Sequence, residues 1–146
     1  MSNLSLRWKI ALVTVVVGIV SIPASLAIFK PSLPGGASLP VGAIPFLLGM
    51  KVFEGLALGA GISFLIFGYS LLARASQSRT LTLLAYFSIG WYLSNWWLHD
   101  NLHAVNGDNL WGLLAIEYAF HFTLIAAAGV LAVFFYRAVR RAAGPA

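Results

Sequence analysis

Apolar residues along this chain form long blocks, and the polar residues gather between them. Four blocks are long enough to cross a bilayer as helix, which takes about 20 residues. They cover approximately 10–29, 44–72, 81–104 and 110–136. The pattern predicts an all-α integral membrane protein: one domain, built as an antiparallel bundle of four transmembrane helices with short connections.

The block boundaries carry more detail. Arg7 and Lys9 precede the first block, as they would precede a secretory signal. A signal core is only ~7–15 residues long and ends in a small-residue cleavage site. This block instead ends at Phe29-Lys30-Pro31, so a retained helix is expected, bent at Pro23 where the ring removes a backbone bond. The second block, taken from Val41 to Leu72, would make ~48 Å of helix against a hydrocarbon core of ~30 Å. Pro45 and Gly49 are expected to divide it, with the span proper over 55–72 and a helical extension or interfacial segment over 44–54. Its small residues Gly55, Ala57, Gly59, Ala60 and Gly61 would let another helix approach closely. In the third block the apolar part proper is 81–98. The stretch Lys30 to Pro40 reads as an external loop, 75–80 as an internal turn, and Asn106-Gly107-Asp108-Asn109 as a tight external turn.

Composition supports the same class. Of 146 residues, 60% are hydrophobic and only 9% charged, with a mean hydropathy of +0.89. A soluble domain carries roughly 25% charged residues, and a disordered chain needs low hydrophobicity, so neither a soluble enzyme nor disorder fits. Zero cysteines exclude disulfides, thiolate metal sites and cysteine catalysis. The formal net charge is +5, and its distribution sets a topology. Arg7, Lys9, Arg74, Arg79, Arg137, Arg140 and Arg141 fall on one side of the four-span scheme, and only Lys30 and Lys51 on the other. The positive-inside rule then places both termini in the cytoplasm. It makes the basic stretch 137–141 a stop-transfer anchor, with no role in nucleic-acid binding. A multi-pass protein of a prokaryotic cytoplasmic membrane is expected. Its partners would be the lipid bilayer and either other membrane subunits or further copies of the chain.

Chemistry is concentrated at the external side. All four acids and all three histidines lie there, with Lys51, Asn95 and Asn101 beside them. Ionisable groups in spans are costly and mark functional sites by default. His99 and His103 are four residues apart and share one helix face, as do Glu117 and His121. Folding the chain about Gly107 leaves His99 and Glu117 offset by ~3 Å along the helix axes, His99 and His121 by ~9 Å, and His103 and His121 by ~15 Å. His99 and Glu117 therefore form the expected centre, with His103 joining from above, or His121 and Asn95 from below. Glu54, Asn95, Asp100 and Lys51 are candidates for the surrounding shell. Imidazole nitrogens with a carboxylate oxygen suit a divalent ion, copper or zinc, and an open coordination position would permit membrane oxidoreductase or hydrolase chemistry.

Other readings of the same residues stand beside this one. The cluster can be a hydrogen-bonded lock between helices, with Lys51 paired to Glu54 and histidines paired to Glu117. A single histidine can ligate a haem or chlorin, although the ~9 Å offset between His99 and His121 argues against a bis-histidine haem. Trp96, Trp97 and Phe120 can wall a quinone pocket, while the remaining tryptophans read as an interfacial belt. The chain can equally be a small non-catalytic accessory or assembly subunit of a larger membrane complex, a role that suits its size, glycine-rich second helix and short loops. A helical membrane architecture alone does not imply a function.

Overall fold

The computed structural model describes residues 5–30, 40–76 and 78–143. The described residues form five α-helices and no strand: α1 (Leu6–Ile28), α2 (Ile44–Phe67), α3 (Tyr69–Ala75), α4 (Arg79–Asn106) and α5 (Leu110–Ala142). A single 3₁₀ turn, Val41–Ala43, leads into α2. The expected external loop after Lys30 lies, over 31–39, outside the described residues.

Among the described residues three helices are long and apolar enough to cross a membrane: α1, α2 with its leading turn, and α5. Helix α4 is longer than α1 but carries Ser88, Ser94, Asn95, His99, Asp100, Asn101 and His103, which dilute its apolar content. Two expectations for the second block need correction. Helix α2 is not divided at Pro45 or Gly49, and it ends at Phe67 rather than near Leu72. Pro45 occupies the first helical turn, where its missing N–H would have had no intrahelical partner in any case. The break falls instead at Gly68, after which α3 begins.

The distribution of residues is the reverse of a soluble core. Among the described residues the buried hydrophobic ones are only Ala85, Ile116, Phe120, Ala127 and Phe134, whereas Ser21, Ser25, Glu54, Ser63, Thr82, Ser88, Asn95 and Asn101 are buried. Large apolar side chains such as Ile19, Leu26, Phe46, Phe87, Phe122 and Ile125 are exposed. Small residues inside permit close backbone approach, the pattern found where helices pack in a membrane.

Helix α1 packs on α2, α2 on α4, and α4 on α5, with α3 against α4. The partners in each of the three long pairs run antiparallel. Gly55 and Gly59 of α2 face α1: a Cβ at Gly55 would meet the Gly18 carbonyl oxygen at 2.7 Å, and one at Gly59 would meet the Thr14 Cα at 3.0 Å. One further turn along, the Ser63 hydroxyl donates to the Ile10 carbonyl (3.3 Å). Gly61 points the other way, towards Ser94 and Gly90 of α4. The Tyr86 hydroxyl donates to the Leu65 carbonyl in the same interface. Between α4 and α5, Trp91 Nε1 donates to Thr123 Oγ1 (3.1 Å), the Tyr92 hydroxyl donates to the Leu124 carbonyl (2.8 Å), and the Trp91 and Phe120 rings stack at 5.3 Å. Helices α4 and α5 therefore form a pinned hairpin, and the site lies near its turn.

Candidate metal centre

The turn itself is determined by local chemistry. Gly107 has φ 50°, a conformation that glycine adopts at little cost. Its N–H closes α4 on the His103 carbonyl (3.1 Å). The Asn109 side chain then accepts from the Gly112 N–H (3.2 Å) and starts α5. The four-residue rhythm of Asn95, His99 and His103 puts them on one face of α4. The two histidines reach α5 there, with their ring centroids 4.5 Å apart.

Glu117 is the point of convergence. Its Oε1 lies 2.9 Å from His103 Nε2 and 3.7 Å from His99 Nε2, and its Oε2 lies 3.0 Å from His121 Nδ1. His121 Nδ1 also lies 2.8 Å from the Glu117 carbonyl oxygen, one turn back. One donor atom each from His99, His103 and Glu117 fall within 4.8 Å of one another. Both Nε2 atoms are buried, and neither completes a hydrogen bond. Buried polar nitrogens are normally satisfied, whereas these two lie beside one carboxylate without a completed hydrogen bond. A four-coordinate zinc with bonds of roughly 2.0–2.2 Å sets its donor atoms about 3.3 Å apart. The two histidine–Glu117 distances bracket that spacing.

Levels along the hairpin suggest His99 as the nearest partner of Glu117, but His103 and His121 are both closer. The reason is side-chain direction. In a helix every Cα–Cβ bond tilts towards the N-terminus. Helix α4 begins far from the turn and α5 begins at it, so His103 leans away from the turn while Glu117 leans towards it. The two tilts close much of the axial offset. His121 leans the same way as Glu117 and reaches the second carboxylate oxygen. The rings of His99 and His121 consequently sit 6.4 Å apart at an interplanar angle of 82°.

The remaining candidates separate into other environments. Lys51 reaches across from α2 to Asp100 Oδ2 (2.6 Å) and Asn101 Oδ1 (3.2 Å), and on its own helix to Glu54 Oε2 (3.1 Å). This lysine-centred cluster ties α2 to α4, with Glu54 fully buried and its Oε1 without a hydrogen-bond partner. Asn95 donates to the Trp91 and Tyr92 carbonyls of its own helix. Trp97 faces α1 rather than α5, with its Nε1 donating to the Ser21 carbonyl (3.3 Å) and its ring edge-on to Phe29. It therefore walls no pocket with Phe120.

A cleft of about 210 Å³ opens beside the histidines. Tyr92, Asn95, Trp96 and His99 of α4 line it, with Phe120, His121 and Leu124 of α5 opposite. Tyr92 and Leu124 are part of the site by position rather than chemistry. The only sequence signal for them is their four-residue spacing from Trp96 and Phe120, which places each pair on a common helix face. No family model matches the chain, and neither a curated protein nor a solved structure matches it.

Proposed function

We propose that the chain is a multi-pass membrane protein that binds a divalent ion, copper or zinc, on His99, His103 and Glu117 at the external end of the α4–α5 hairpin. In this reading α4 is the fourth span, both termini are cytoplasmic, and the four long helices cross the bilayer side by side. The inside-out distribution of small and large residues supports the membrane setting. Seven basic residues at one end of the helices, against Lys30 and Lys51 at the other, support the orientation.

The observation that carries the metal reading is the pair of buried, unsatisfied Nε2 atoms converging on the Glu117 carboxylate. Two imidazoles and a carboxylate suit copper and zinc. Three protein ligands leave a position open, which is the arrangement of ions that meet a substrate. A bound ion would act there as a Lewis acid or as an activator of water or dioxygen. Titration of the detergent-solubilised protein with Zn²⁺ and Cu²⁺ tests this. Wild type should bind one ion per chain, and His103→Ala should lose at least tenfold in affinity, whereas Asp108→Asn in the turn should bind as wild type does. Equal affinity in all three proteins would overturn the assignment.

A second reading is compatible with the first and rests on a different observation. The accessible surface is 9,996 Å², against about 7,300 Å² for a compact monomer of this mass. A row of helices with so much open apolar edge suits a small accessory subunit of a larger membrane complex, or one copy in a homo-oligomer. Migration of the native complex at the mass of a single chain in its detergent micelle would exclude both forms of assembly.

A further inference from the structure

The cleft between α4 and α5 has features that a metal site alone does not explain. Its walls are aromatic, from Tyr92, Trp96 and Phe120, with Asn95, His99 and His121 among them. A few convergent polar groups in an otherwise apolar cleft are the usual make-up of a small-molecule site. The volume sets the size of the occupant. An apolar cavity of ~150 Å³ accepts a benzene ring, so about 210 Å³ has room for one substituted six-membered ring. The lip sets its polarity. The His121 and Glu117 side chains are 64% and 41% exposed at the cleft side of the hairpin, flanked by exposed Phe122 and Ile125. Polar groups beside lipid are costly unless something covers them. His121 is engaged through Nδ1, which leaves Nε2 for an incoming oxygen.

We infer that this cleft receives the hydroxylated single-ring aromatic head group of a lipid-soluble molecule. The ring stacks among Trp96, Tyr92 and Phe120, and its hydroxyl oxygen faces His99 and His121. The aliphatic tail leaves the cleft past Phe122 and Ile125 into the acyl chains. The inference deepens the metal reading, on which it rests for what the hydroxyl meets, by naming the class of molecule that reaches the ion. The fit of the ring depends only on the cleft.

Binding of para-decylphenol to the full chain in lipid nanodiscs tests this, with empty nanodiscs subtracted. Wild type should bind one molecule per chain saturably, and decanol, which has the tail and hydroxyl without the ring, should not displace it. Leu124→Trp fills the cleft and should weaken binding at least tenfold. Trp96→Ala, at an exposed wall, should also weaken it and serves if the first variant fails to fold. Uptake no greater than that of empty nanodiscs, displacement by decanol at equal concentration, or wild-type affinity in both variants would each overturn the inference. The two readings fail distinguishably: saturable phenol binding by protein that takes up no ion removes the metal alone, whereas an ion-loaded chain that binds no phenol removes the cleft ligand alone.

Discussion

Glu117 is the residue on which the site turns, because three histidines address its two carboxylate oxygens. Glu117→Gln keeps its shape and removes its charge, so ion affinity should fall at least about tenfold, and a metal-binding titration would show it. The Lys51 cluster makes a separate prediction. Lys51→Met leaves Glu54 fully buried without its cation, and removing one partner of a buried pair costs on the order of 3 kcal/mol. The double variant Lys51→Met/Glu54→Gln should recover much of that loss in a thermal melt. A double variant that melts below the single one would show that Glu54 matters for something other than its charge. The identities of these residues were legible from sequence, since an ionisable group inside an apolar block has few ordinary explanations. Their pairing was legible only in part. Axial arithmetic ranks Cα positions, whereas the ligand atoms lie at the ends of side chains that lean in opposite directions on the two helices. The separation of Asp100 from His99 follows from helical geometry too, because adjacent residues on a helix face different neighbours.

Helix α2 shows what a glycine pattern does and does not reveal. Gly55, Gly59 and Gly61 are all contact points, but on two faces: the first two against α1 and the third against α4. Gly59→Leu should force α1 and α2 apart at Thr14, at a cost of roughly 1–3 kcal/mol as for other overpacked interfaces, and should lower the melting temperature by several degrees. Gly129→Leu on α5 is the matched control, since a Cβ there meets nothing within 4 Å, and it should leave the melt unchanged. Equal effects of the two substitutions would contradict the packing described. The existence of the long helices was readable because blocks of about 20 apolar residues admit few alternatives. The continuity of α2 through Gly49 was not, since a proline ends one helix or begins another with the same residue. The polar character of α4 has a similar lesson. Its serines, asparagines and aromatic hydroxyls lower its apolar content, yet Ser88, Asn95 and Asn101 are buried, and Ser94 and Asn95 bond to carbonyls of their own helix.

At the scale of the molecule, α1 and α5 lie at opposite ends of the main chain of helix contacts, with Trp97 of α4 also reaching α1. That order makes the hairpin of α4 and α5 an edge, with the histidine face and cleft on it. In the four-span reading Ser78 and Asn106 flank α4 on opposite sides of the membrane. Cysteines introduced at the two positions should label with an impermeant thiol reagent from opposite sides only, and labelling from one side would remove α4 as a span. The central claim is that His99, His103 and Glu117 hold an ion, and the ion content of the native protein tests it most directly. Protein extracted from membranes and purified without chelator should carry close to one copper or zinc per chain by elemental analysis, and Glu117→Gln protein prepared in parallel should carry little. Wild-type protein with almost no metal, and no gain on incubation with either ion, would contradict the account.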